Sequence, residues 1–210
     1  MKLYGKLHYQ EEMCILSAGS CRMIFHRSGK SALSNFLADA TETASGDYHP
    51  TQGVRILEFE NHNPMAGHGR QSTVEVELWD CSGDKKFETC WPAMAKDTTG
   101  IIFVYNPDQP NHDKELENWH NFFIEEQGIK ETSCCVFAHH KPSSPEREKS
   151  QLSPSAHPSA QCFSNIPVVH TNIEEEGESV RNEFSQFLAK LTVAMSDKRE
   201  QEELSIMNHR

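Results

Sequence analysis

Two stretches, IIFVY at 101–105 and CCVFA at 134–138, are apolar at every position. A strand with one face in water alternates polar and apolar residues; a strand covered on both faces does not, and such strands belong to parallel sheets sandwiched between helices. Between the two runs, Leu116, Trp119, Phe122 and Phe123 recur at helical spacing. Beyond them, Val180, Phe184, Phe187, Leu188, Leu191 and Met195 stripe a longer helix. Strand–helix alternation of this kind predicts an α/β fold, a mostly parallel sheet with helices on both faces. Residues 54–59 and 74–78 read as two strands of a hairpin, separated by a Gly/His/Asn-rich turn with Pro64 and Gly67, and 167–170 reads as a last short strand.

A chain of 210 residues accommodates one such domain with some irregular sequence. Its formal charge of −11 leaves no basic stripe for a polyphosphate backbone, so nucleic acid is not the expected partner. Seven cysteines without a CxxC pair offer neither a zinc signature nor a disulfide framework. No apolar run approaches the roughly 20 residues a membrane helix needs. The sequence ends SIMNHR, without a cysteine for prenylation, and no lipid anchor is expected. The Ser/Pro-rich stretch 142–165 reads as a mobile surface loop, and 196–210 as a charged tail or an extension of the last helix.

The chemistry concentrates in short motifs. HRSGKSALSNFL, at 26–37, carries Gly29, Lys30 and Ser31 at the start of a predicted helix, as in the GxxxxGKS/T loop whose backbone N–H groups cradle phosphates. Counted back by that spacing, the first glycine falls on Ile24, so the cradle is half present. WDCSGD, at 79–84, follows an alternating strand and supplies a DxxG pattern: Asp80 at a strand end can hold magnesium through water, and Gly83 can offer its N–H to a γ-phosphate. HPTQG, at 49–53, places Thr51 where a switch threonine closes over a metal. Each motif alone is common; three in the right order, each at the correct end of its element, reinforce one another.

PTQGVRILEFE, VELWDCSGDKKFETCWPAMAKD, FAHHKP and REQEELSI together resemble the Rab-like small GTPases of intraflagellar transport, with the likeness running from Ser28 to about Ile206. The resemblance implies a Ras-like P-loop NTPase fold over 28–195 and a place in the intraflagellar transport B complex. It also implies docking on the coiled-coil pair of intraflagellar transport proteins 74 and 81, and a location in the cilium and in the cytoplasm around the basal body. It further implies GTP or GDP with Mg2+ as ligand. The nucleotide would be held by Gly29, Lys30, Ser31, Thr51, Asp80, Cys81, Ser82, Gly83 and Asp84 and by the base-recognition segment His139, His140, Lys141 and Pro142. Ser31, Thr51 and Asp80 would face the metal.

The chain departs from an ordinary GTPase at four places. Asp84 stands where a Gln orients the attacking water, which argues against rapid hydrolysis. Pro142 stands where an Asp reads guanine and cannot accept those bonds. His170, Thr171 and Asn172 replace the usual SAK loop. Residues 1–27 lack the expected strand and complete glycine loop, so the central strand must come from 21–25 or, as a poorer fit, 13–16. Adjacent His139 and His140 would point to opposite faces of a strand and not chelate one ion. Two classes of function remain open: an adaptor with little or no turnover, or an enzyme, either a GTP-hydrolysing switch or a small-substrate kinase. The lack of a catalytic base favours the adaptor.

Overall fold

The computed structural model describes residues 14–18, 29–40, 51–64, 73–82, 85–96, 98–107, 112–140 and 161–208. Ten elements carry the fold. They are β1 (Cys14–Ala18), α1 (Lys30–Leu37), β2 (Val54–His62), β3 (Thr73–Cys81), α2 (Trp91–Ala95), β4 (Gly100–Tyr105), α3 (His112–His120), β5 (Cys134–His139), β6 (Val168–Thr171) and α4 (Ile173–Asn208). The six strands form one sheet in the order β2-β3-β1-β4-β5-β6. Among the described strands only the β2–β3 hairpin is antiparallel, with Val54 opposite Cys81 and His62 opposite Thr73; the other described pairs are parallel.

The two apolar runs are central strands, buried throughout. Their period of two divides the core into two layers. Ile101, Phe103 and Tyr105 of β4 and Cys134, Val136 and Ala138 of β5 face Trp91, Met94, Leu116, Trp119 and Phe123 from α2, α3 and the turn after α3. Ile102, Val104, Cys135 and Phe137 face the other way, against Leu33 and Leu37 of α1 and Val180, Phe184, Leu188 and Leu191 of α4. Trp91 lies over Trp119 with centroids 4.4 Å apart. Trp91 is therefore a core side chain.

The central position of the sheet is filled by β1, which pairs with β3 on one side and β4 on the other. The strand is thus drawn from the stretch rated the poorer fit, displaced toward its C-terminal side; 21–25 lies outside the described residues. The predicted stripe of α4 is buried from Val180 to Leu191, while Met195 is only half-buried. Asn172 accepts bonds from the backbone N–H groups of Glu174 and Glu175 at 3.1 and 3.3 Å and so caps the first turn of α4, before the kink at Glu176. The helix continues to Asn208, taking in most of the expected tail. Of the stretch 142–165, residues up to 160 lie outside the description. The remainder begins with a 3-10 turn, Gln161–Phe163, which packs Phe163 edge-on against Phe103 at 5.2 Å.

Candidate functional site

The carboxyl ends of β3, β5 and β6 converge on the start of α1, the crevice where open parallel sheets bind ligands. Gly29 precedes α1 in the left-handed region, at φ +77°, which glycine adopts at no steric cost. Nor is there room for a side chain. A Cβ here would run into the ring of His139 at the end of β5. His139 is buried, and its Nδ1 lies 3.0 Å from Thr171 Oγ1. Burial and the neighbouring His140 push its pKa down to about 4, so the ring is neutral at pH 7. His139 therefore ties β6 to the turn before α1.

A second constellation sits at the first turn of α1. Ser31 Oγ is 2.9 Å from Thr51 Oγ1, and Thr51 Oγ1 donates to Asp80 Oδ2 at 3.2 Å. A hydroxyl carries one proton, and Thr51 gives its own to the carboxylate, so Ser31 is the donor in the first bond. Asp80, near the end of β3, is completely buried, and its Oδ1 has no hydrogen-bond partner among the described residues. Two hydroxyls and a carboxylate with an unused buried oxygen form a hard-oxygen set of the kind that suits Mg2+. Gly53, at φ +73°, turns the chain between Thr51 and β2, and its carbonyl accepts from the Ser82 N–H at 2.7 Å. That bond locks the threonine segment to the start of the acidic loop.

The sequence thus names Ser31, Thr51 and Asp80 as a set, and the fold brings them together. Lys30 and Ser82 are buried beside them, and Cys81 ends β3 with its side chain in the core. His139 and His140 do part, as strand alternation requires: His139 goes to the α1 turn, while His140 Nε2 meets His170 Nδ1 at 3.0 Å on the exposed rim. Gly83, Asp84, Lys141 and Pro142 lie outside the described residues.

Sequence reasoning missed one residue. Arg55 of β2 reaches Asp80 Oδ2 at 3.3 Å, Asn35 Oδ1 at 2.6 Å and the Ser31 carbonyl at 3.5 Å. The signal lay in the hairpin register, in which Arg55 is directly opposite Asp80. β1 ends at Ala18, and Ile24, to which the spacing assigns the first-glycine position, lies outside the described residues.

A central strand leading to α1, a single antiparallel edge hairpin and helices on both faces define a Ras-like domain. Residues 26–141 match the model for the Ras of Complex, Roc, domain of DAPkinase. The intraflagellar transport protein 22 homolog of Danio rerio is 49% identical over 85% of this chain and 92% of its own length. The Homo sapiens homolog is 42% identical over 92% of this chain and 97% of its own. The chain belongs to the intraflagellar transport protein 22 family. Coverage of 92% of 210 residues extends the likeness back past Ser28 into the N-terminal segment, further than the motifs indicated. In structure, the chain is similar to GDP-bound T. brucei IFT22, with TM-score 0.62 and 24% identity over 88% of this chain and 99% of that one. It is also similar to the GTP-bound T. brucei IFT22/74/81 crystal structure, with TM-score 0.56 and 26% identity over 88% and 99% of the respective chains.

Proposed function

We propose that this protein is a small GTPase-like adaptor subunit of the intraflagellar transport B complex that holds GTP or GDP with Mg2+ at the start of α1. The observation that carries the nucleotide reading is the hydrogen-bonded convergence of Ser31, Thr51 and the buried Asp80. Gly29 and the α1 N-terminus, with the N–H groups of its first turn and its positive dipole end, would receive the phosphates, and Lys30 would contribute a charge. Mg2+ bound with the nucleotide would neutralise phosphate charge, with Ser31, Thr51 and Asp80 holding it. His140 and His170 form the rim beside the base; with Pro142 at the guanine-reading position, discrimination between GTP and ATP is reduced. Asp84 in the position of the water-orienting Gln keeps turnover very slow.

Membership of the family, together with the likeness to the IFT22/74/81 assembly, supports docking on the coiled-coil pair of intraflagellar transport proteins 74 and 81. The surface offered is the outer side of β2, where Val54 and Ile56 are exposed at 36% and 45% beside Thr51. Nucleotide-dependent ordering of Thr51 would alter that same surface. On this reading the protein works in the cilium, and a cytoplasmic pool near the basal body supplies the complexes that assemble there. Co-expression with the coiled-coil pair followed by size-exclusion chromatography tests the reading. Co-elution is expected, and an Ile56→Asp variant should elute apart; a folded wild-type chain that never co-elutes would refute it.

A further inference from the structure

We infer that Arg55 is a built-in cation of the metal site, one that makes nucleotide retention less dependent on magnesium than a Ser/Thr/Asp site alone would allow. The inference rests on the nucleotide reading above. A carboxylate as deeply buried as Asp80 demands a positive partner, because an unpaired buried charge costs several kcal/mol. In a site of hydroxyls and one Asp, that partner is ordinarily the metal. Here the Arg55 guanidinium lies 3.3 Å from Asp80 Oδ2. It carries its charge at every working pH and cannot diffuse away.

The same side chain does mechanical work. Its bonds to Asn35 Oδ1 and to the Ser31 carbonyl clip the edge strand β2 onto the first turns of α1. Thr51 lies four residues before Arg55 on the same segment and bonds both Ser31 and Asp80. An Arg that fastens β2 to α1 thus holds the threonine closed over the site by protein contacts alone. A metal and the arginine would not exclude each other, since Arg55 uses Oδ2 while Oδ1 has no hydrogen-bond partner among the described residues and would be open to an ion. The arginine therefore adds to the ion and reduces what the ion must supply.

The test loads the full chain with a fluorescent GDP and follows its release into excess unlabelled GDP, in magnesium and in EDTA. Wild type should release no more than about threefold faster in EDTA. Arg55→Gln should release about tenfold or more faster in EDTA than in magnesium. Arg55→Lys keeps charge without the planar fork and should fall between them. Equal EDTA acceleration in wild type and Arg55→Gln would overturn the role of Arg55 while leaving nucleotide binding intact. Should Arg55→Gln fail to fold, wild type alone decides: acceleration of about tenfold or more in EDTA refutes the inference. A wild type that takes up no nucleotide at all refutes the nucleotide reading and this inference with it.

Discussion

Gly29 shows how one residue can be fixed twice, by backbone conformation and by a neighbour. Its φ of +77° and the His139 ring where a Cβ would stand both exclude a side chain. Gly29→Ala should therefore lose more than the roughly 1–2 kcal/mol of a left-handed alanine, measured by denaturant unfolding. His139→Gly, which clears the space, should recover part of that loss when combined with it. His139 itself makes a prediction about pH. Its folded pKa is pushed down to about 4 from an ordinary 6.5, so the unfolded chain binds the proton first. The stability it provides is complete above pH 6.5 and drains away as pH falls toward 4, at up to about 1.4 kcal/mol per pH unit. Stability measured across that range should fall less steeply in His139→Asn, which cannot take up a proton; an unchanged slope would show that the ring is not the source. Neither role can be read from HHKP as a string. The motif marks a degenerate base loop, whereas the contact with Gly29 depends on where the end of β5 meets α1. Arg55 is illegible for the same reason: its partner Asp80 is 25 residues away, and only the hairpin register sets them opposite.

Elements follow legibly from sequence where burial imposes a pattern. The apolar runs at β4 and β5 admit no half-exposed placement, and the stripe Val180 to Leu191 leaves α4 one face to bury. Beyond Leu191 no side chain of α4 is buried among those described, and Leu204, Ile206 and Met207 are exposed. That part of the helix draws on local propensity, which contributes little to the fold. Ending the chain at Ser196 should shift the melting temperature by no more than about 3 °C, followed by circular dichroism. A loss approaching that of a core truncation would show that the C-terminal turns pack on the domain. β1 is hard to read because it is short, with a serine inside CILSA, and because a rival stretch of equal length, CRMIF, follows it.

At the scale of the molecule, β1 joins the two halves of the sheet. It holds β3 through Cys14, Ile15 and Leu16 and β4 through Ile15 to Ala18. Without it, two inner strand edges lose their hydrogen bonds at once, and buried unpaired backbone groups are not tolerated. A chain lacking residues 1–18 should fail to give a cooperative melt and should bind a hydrophobic dye. Cooperative unfolding of that chain would mean the sheet closes without β1. The sheet that β1 completes is also what carries Asp80, His139 and Thr171 to the start of α1, so function depends on it as much as stability does. The central claim is that this convergence is a nucleotide site serving an adaptor. Equilibrium titration of the full chain with a fluorescent GTP analogue in magnesium tests it most directly. The account predicts saturable binding that weakens about tenfold or more in Lys30→Ala, with GTP turnover too slow to follow on the same timescale. No saturable binding, or affinity indifferent to Lys30, would contradict it.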